Sequence, residues 1–261
     1  MKTEVYEGAL VAQPGKVYPY EQIHGCLILD GADAGTSFPR LIKVQGDINI
    51  QGGDSRHALP RLRRVTDSLI VKGARTWVAF PALRAVGDCV VVKEGTDARG
   101  AFPLLSRVGA DVYVGDEDTR AAFPRLRAVC GKLYVRGVDT RGAFPALKRV
   151  GGDITAVEDG TRTSLPALEV VGGDLMVSYA DIGRGLPSLR SVGGDVYARW
   201  RSRYVEFPAL LRVGGDLDYG PYFRDHMFPR LKSIRGSLLP MTPLRARRRH
   251  RRPSAATLEA A

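Results

Sequence analysis

Apolar residues recur along this chain with a period of 21 residues, and one proline marks each period. These prolines stand 21 residues apart in eight intervals of nine, and the interval from Pro81 to Pro103 is 22. Phe or Leu precedes each proline, Leu follows two residues later, Val or Ile five later, and apolar residues usually nine and eleven later. The prolines are Pro39, Pro60, Pro81, Pro103, Pro124, Pro145, Pro166, Pro187, Pro208 and Pro229. The unit F-P-x-L-x-x-V-G-G-D-L-x-V therefore identifies a repeat protein.

Each unit predicts one short β-strand between corners. The last two apolar positions are two residues apart, which is the spacing of one face of a strand. A Gly-Gly pair before this stretch, such as Gly151 with Gly152, favours a turn with positive φ. Proline cannot donate to a ladder and belongs at the corner that begins the next unit. After strand and corners, no unit has room for a three-turn helix.

Units of equal length predict an all-β fold, a parallel β-solenoid. Coils would stack about 4.8 Å apart, and each would bury its apolar edge against its neighbours. A degenerate copy with Tyr20, Ile23, Leu27 and Leu29 precedes the ten regular copies, so we expect about eleven coils. The predicted organisation is an N-terminal cap over residues 1–18, a solenoid over 19–240 and a basic tail over 241–261.

The repeat resembles short leucine-rich repeats, and most closely the L-domain type of receptor ectodomains, L-x-x-I-x-G-x-L-x-V. The resemblance covers residues 19–240. Gly and Asp replace the asparagine of ordinary leucine-rich repeats, and no disulfide framework is present, so a bacterial or viral relative is favoured over a receptor fragment. The resemblance implies a binding scaffold whose ligand differs from member to member, and it transfers no site residue.

The outward positions of the strands are the natural binding surface of such a solenoid. Ten residues after each proline the row includes Tyr113, Tyr134 and Tyr197, and two residues further on stand Lys93, Arg136 and Arg199. Tyrosine interleaved with cations suits a protein or glycan partner. The alternative is that tyrosine simply favours strands. We predict a scaffold that binds a protein or glycan through this face.

Two further columns of equivalent repeat positions each have a structural and a functional interpretation. An aspartate column eight residues after the proline would close turns by accepting backbone N–H groups, which we favour over a calcium site or an acid–base pair. Basic residues three and four after the proline form a stripe that is either a solvated face or a track for an anionic polymer. The stripe comprises Arg63, Arg84, Arg107, Arg127, Lys148, Arg149, Arg190 and Arg212.

Charge is concentrated at the C-terminus. The chain has 39 Lys+Arg and 28 Asp+Glu, a net charge of +11. Residues 241–261 hold six arginines and one glutamate, a net +5, and we expect this run to be disordered. Its arginines are Arg245, Arg247, Arg248, Arg249, Arg251 and Arg252. The alternative function is therefore a nucleic-acid-associated protein that binds phosphates through this tail.

The remaining signals concern chemistry and location. The four histidines are scattered and no Cys-x-x-Cys, G-x-S-x-G or phosphate loop occurs, so we predict no enzyme activity, no metal and no cofactor. Cys26, Cys89 and Cys130 are odd in number, which favours a reducing compartment. The N-terminus has no apolar signal core and no run could span a bilayer. We expect a cytoplasmic protein, with export by a signal-less route as the alternative.

Overall fold

The structure is a computed structural model. It describes residues 4–31, 35–77, 79–93, 95–115, 119–136, 139–140, 142–157, 162–163, 165–178, 186–199, 206–219 and 227–239. These residues contain strands, turns and bends, and they form no α-helix. The all-β class predicted from the repeat is therefore confirmed.

Two parallel sheets of twelve strands each run along the stack. Sheet A consists of β1 Val5–Glu7, β3 Gln22–His24, β5 Lys43–Gln45, β7 Arg64–Val65, β9 Ala85–Val86, β11 Arg107–Val108, β13 Ala128–Val129, β16 Arg149–Val150, β19 Val170–Val171, β21 Ser191–Val192, β23 Arg212–Val213 and β25 Ser233–Ile234. Sheet B consists of β2 Leu10–Ala12, β4 Leu27–Asp30, β6 Ile48–Gln51, β8 Leu69–Lys72, β10 Val90–Lys93, β12 Val112–Gly115, β14 Leu133–Arg136, β17 Ile154–Val157, β20 Leu175–Ser178, β22 Val196–Arg199, β24 Leu217–Asp218 and β26 Leu238–Leu239. Every pair is parallel, so the predicted parallel β-solenoid is confirmed.

Each coil contributes two strands, one more than the repeat predicts. The sheet B strands are those expected from the apolar alternation, whereas most sheet A strands have only two residues and end at the valine five after the proline. A third side is paired more sparsely, by the strands β15 Asp139–Thr140 and β18 Arg162–Thr163 and by bridges such as Asp54 with Arg75. The number of coils also differs slightly from the expected eleven. Each sheet has twelve strands, because residues 5–12 add one strand to each sheet by pairing with the next coil.

The core lies between the sheets and consists of ladders of similar apolar side chains. Four phenylalanines before corner prolines, Phe80, Phe102, Phe123 and Phe144, have no solvent exposure and stack ring on ring. Ring centroids are 5.2 Å apart from Phe80 to Phe102, 5.0 Å from Phe102 to Phe123 and 5.2 Å from Phe123 to Phe144. This spacing is close to that of adjacent strands. Repeated residues at equal spacing thus become a continuous interior in which each coil covers the next.

The Gly-Gly pairs have a role other than the expected one. At Gly172 and Gly173 the backbone does not have positive φ, so the predicted left-handed turn is wrong for this pair. A side chain at Gly172 would overlap the carbonyl oxygen of Gly151, and one at Gly173 would overlap a carboxylate oxygen of Asp153. Glycine is therefore required because the preceding coil approaches too closely for a Cβ atom.

No helix in the described ranges has the length and apolar character needed to cross a membrane.

Truncating one ring of the phenylalanine ladder should destabilise the whole coil stack. Phe123 has no solvent exposure and stacks between Phe102 and Phe144. We expect Phe123→Ala to lower the free energy of unfolding by about 3–5 kcal/mol, the range for a buried phenylalanine. The measurement is urea unfolding followed by circular dichroism. Met176→Ala, which shortens an exposed side chain, is the control, and a loss below about 1 kcal/mol for Phe123→Ala would contradict the buried ladder.

Candidate functional site

The outward side chains of sheet B form one continuous row, which we call the outer row. Strand register places Tyr113 beside Tyr134 and continues through Thr155 and Met176 to Tyr197. The full outer row is Val11, Ile28, Asn49, Ile70, Val91, Tyr113, Tyr134, Thr155, Met176, Tyr197, Asp218 and Leu239. Val11 and Ile28 extend the row predicted from sequence, because their coils lack the regular proline that marks the period.

Tyr113 and Tyr134 form a stacked pair on the solvent side of sheet B. Their ring centroids are 4.7 Å apart and their planes differ by 4°. The Tyr113 ring leans along its strand over Gly115. A Cβ atom added at that glycine would lie 2.9 Å from Tyr113 Cε1, so the ring occupies the space of the missing side chain. Both tyrosines are half-buried. The position of the Tyr113 ring therefore depends on its stacking with Tyr134 and on the absence of a side chain at Gly115.

The two predicted cations closest to this pair lie at the ends of neighbouring strands. Lys93 ends β10, one coil before Tyr113, and is half-buried. Arg136 ends β14, is exposed and is in register with Gly115. Lys93 thus lies on the coil before the tyrosine pair and Arg136 lies on the coil of Tyr134, as the sequence predicts.

Tyr197 does not belong to the stacked pair. Thr155 and Met176 separate Tyr197 from Tyr134 along the outer row. The Tyr197 hydroxyl donates a hydrogen bond of 2.6 Å to Asp195 Oδ2, two residues before it in the chain, whereas Tyr113 leans toward the residue two positions after it. The Arg199 side chain, like the tail arginines 245–252, lies outside the described residues. The sequence-predicted face therefore contains one stacked tyrosine pair rather than a uniform stripe of tyrosines.

The aspartate column is a structural device. One carboxylate oxygen of each described member accepts a hydrogen bond from a backbone N–H of the following coil. The pairs are Asp47 with Ser68 N at 2.8 Å, Asp111 with Lys132 N at 2.6 Å, Asp153 with Asp174 N at 2.9 Å, Asp174 with Asp195 N at 2.7 Å, Asp195 with Asp216 N at 2.6 Å and Asp216 with Ser237 N at 2.8 Å. The acceptor role predicted from sequence is correct, but the donor belongs to the next coil instead of the same turn.

Asp153 also forms an ion pair with the preceding coil, in which the aspartate column has a lysine. Lys132 occupies the aspartate position one coil earlier, and its Nζ lies 3.0 Å from Asp153 Oδ2. Burial of the Asp153 carboxyl raises its pKa, but the hydrogen bonds from Asp174 N–H and Lys132 outweigh this effect and the pKa is lowered. The hydrogen bond that Lys132 donates to Asp153 in turn raises the lysine pKa.

Sequence reasoning missed an aromatic residue on the third side of the coils. Trp77 is 40% exposed, and the Arg56 guanidinium lies 5.1 Å from its ring centroid. Arg56 is held by Asp54, to which its Nε donates at 2.8 Å, and this hydrogen bond is the main cause of the lowered pKa of Asp54. The sequence contains a pattern that could have revealed this column of cations and one aromatic residue. The position four residues before a corner proline is occupied by Arg56, Trp77, Arg99 and Arg120.

The three cysteines are free thiols, and Cys89 is partly buried, which raises its pKa. Among the residues that the structure describes, no three His, Cys, Asp or Glu side chains are grouped closely enough to hold a metal ion.

No family model, curated protein or solved structure matches this chain. Function is therefore inferred from the geometry of the coils.

Removing the Asp153 carboxylate should weaken the contact between two coils. We expect Asp153→Ala to lower the free energy of unfolding by about 1 kcal/mol at neutral pH, because the Asp174 N–H and Lys132 lose their acceptor. Asp153→Asn keeps an acceptor and should lose less. Because the folded pKa lies below the ordinary 3.8, the carboxylate stabilises the fold above that pH and the contribution disappears as pH falls through the lowered pKa.

The measurement for Asp153 is urea unfolding at neutral pH and at several acidic values. Asp30→Ala is the control, since Asp30 is exposed at the end of β4. An Asp153→Ala variant as stable as the Asp30→Ala variant at neutral pH, or one with the acid sensitivity of the unmodified protein, would contradict the proposed contact.

Filling the space at Gly115 should move Tyr113 without removing it. We expect Gly115→Val to break the parallel stack with Tyr134, because the new side chain occupies the position of the Tyr113 ring edge. The loss of stability should be about 0.5–1.5 kcal/mol, the value of an aromatic pair. Ring-current shifts in the tyrosine NMR signals report the geometry. Unchanged shifts in the valine variant would show that the ring does not lean over Gly115.

Proposed function

We propose that this protein is a non-enzymatic repeat scaffold that binds a protein or glycan partner through the outer row of sheet B. The binding centre is the stacked pair Tyr113 and Tyr134, with Lys93 and Arg136 beside it. The observation that carries the proposal is this aromatic pair, held in one geometry on the solvent side of a parallel sheet.

The apolar character of the outer row supports the proposal. Parallel sheets are usually covered on both faces. Here Val11 is 60% exposed and Met176 is 38% exposed on the side away from the core, whereas Ile70 and Val91 of the same row are each 7% exposed. Apolar and aromatic residues on a solvent face are typical of interaction surfaces, in which tyrosine is enriched.

Preorganisation of the tyrosines favours binding over a purely structural role. A side chain that is already ordered loses little rotamer freedom when a partner contacts it. Lys93 on the preceding coil and Arg136 on the coil of Tyr134 add positive charge beside the stacked rings. A partner with acidic or hydroxyl groups complements this arrangement.

The proposed family relationship is with the leucine-rich repeats, of the short L-domain type. The support is a parallel sheet with an outward row of variable residues above a uniform interior. Aspartate replaces the asparagine of ordinary leucine-rich repeats, and the aspartates here accept hydrogen bonds between coils.

Absence of catalysis is part of the same proposal. The aspartate column is the strongest candidate for acid–base chemistry, and its carboxylates from Asp153 to Asp216 already accept backbone N–H groups. This engagement favours the scaffold over an enzyme that acts on polysaccharides. A cytoplasmic location remains part of the hypothesis.

The tyrosine pair can be tested by selecting a partner and measuring it against variants. A glycan array and a displayed peptide library are screened with the full-length protein, and the best ligand is titrated by calorimetry. We expect Tyr113→Ala combined with Tyr134→Ala to weaken binding at least tenfold, because central aromatic residues dominate interface energies.

The matched control is Thr155→Ala combined with Met176→Ala, which alters the next two positions of the outer row. We expect this control to retain affinity within about threefold, since peripheral contacts contribute little. Equal affinity for the tyrosine variant and the unmodified protein would contradict the proposed face, as would equal losses in both double variants.

A further inference from the structure

The outward side of sheet A carries a row of cations that the proposed scaffold does not use. Its members stand three or four residues after the corner prolines, and we call them the basic face. They are Lys43, Arg63, Arg64, Arg84, Arg107, Arg127, Lys148, Arg149, Arg190, Arg212 and Lys232. Apart from the half-buried Lys43, all of them are exposed. After the ten corner prolines these positions contain one carboxylate, Glu169, and the column continues into the two N-terminal coils with Glu21 and Glu4.

Strand register distributes these cations along the axis. In one column Arg64, Arg107 and Arg149 alternate with Ala85 and Ala128. The two coils that have alanine at this position have Arg84 and Arg127 one residue earlier. From Arg63 to Arg149 every coil therefore presents at least one cation, at steps of about 4.8 Å, while the alanines separate the guanidinium groups within the column.

The basic face is poorly neutralised by the protein itself. Among the described residues its only ion pair joins Lys148 Nζ to Glu169 Oε1 at 3.1 Å. The aspartates of the neighbouring turn use a carboxylate oxygen for the N–H of the next coil, as Asp111 does for Lys132 N. Arg107 Nη2 contacts the Cys130 sulfur at 3.8 Å instead of a carboxylate. This row of exposed positive charge therefore favours contact with an anionic partner.

We infer that the basic face binds the phosphate backbone of double-stranded nucleic acid. Most of its cations are arginines, whose planar guanidinium groups match phosphate oxygens in pairs. No aromatic side chain stands in these two columns, whereas binding of single strands relies on aromatic residues that stack on bases. A duplex carries about one charge per 1.7 Å of axis, so a straight row of cations finds phosphates along its length.

This binding surface is separate from the outer row of sheet B, and it uses none of the tail arginines. The cations belong to sheet A strands or to the residue before them, and their spacing follows from the coil stack. Recognition through phosphates alone carries no sequence information. We therefore expect binding that is independent of base sequence and strongly weakened by salt.

The test measures the salt dependence of duplex binding by the full-length chain. Fluorescence anisotropy with a duplex DNA of about 20 base pairs gives Kd at several salt concentrations, and the slope of log K against log salt is about −0.9 per phosphate contact. The face variant combines Arg107→Gln, Arg127→Gln and Arg149→Gln. We expect at least a tenfold weaker Kd and a slope reduced in magnitude by about 2.7.

Two matched variants separate this surface from the others. Arg56→Gln with Arg99→Gln and Arg120→Gln removes the same charge from another column, and it should leave the slope nearly unchanged. A tail variant with glutamine at all six arginines of residues 245–252 should retain the part of the slope that the face variant loses. Circular dichroism and the thermal midpoint of each variant confirm the fold.

Three results would overturn the inference. The first is a face variant with an unchanged slope, the second is an equal loss in the matched arginine variant, and the third is loss of binding in the tail variant alone. Single-stranded DNA or a heparin fragment bound as tightly as the duplex would overturn the choice of ligand. The Tyr113→Ala, Tyr134→Ala variant should bind the duplex normally, so failure here is distinguishable from failure of the proposed scaffold.

Discussion

The structure depends on hydrogen bonds between successive coils, because no coil can satisfy its backbone or bury its apolar edge alone. Leu175 N–H donates to the Asp195 carbonyl at 2.8 Å in the coil that follows, and Gly172 N–H donates to the Val150 carbonyl at 2.9 Å in the coil before. Such contacts repeat only if every coil has nearly the same length. The one longer unit keeps the register of Val91 with Tyr113, so its extra residue lies outside the sheets.

This constraint acts on the interior and leaves the outward positions free to differ. Valine, leucine and phenylalanine recur at inward positions, and glycine recurs where adjacent backbones come too close for a side chain. Outward positions change from coil to coil, so one chain carries an aromatic and apolar row on sheet B and a basic face on sheet A. A rigid stack thereby holds two chemically different surfaces at constant spacing.

The sequence period predicted the fold because each coil contacts mainly its neighbours, so a one-dimensional repeat encodes the packing. It did not predict sheet A, since a strand as short as Arg64–Val65 has no alternation of its own and exists only through pairing with the next coil. The purpose of Gly172 and Gly173 is also visible only after stacking. Likewise, the opposite leanings of Tyr113 and Tyr197 depend on the local residues Gly115 and Asp195.

Hydrogen–deuterium exchange of the full-length protein tests the coil stack most directly, because each ladder N–H is protected by a neighbouring coil. The account predicts that slowly exchanging amides recur every 21 residues, at the sheet A valines and at strand positions such as Leu175 and Val196, with fast exchange at the corners between them. Protection without this period, or confined to one continuous segment, would contradict a solenoid stabilised by contacts between coils.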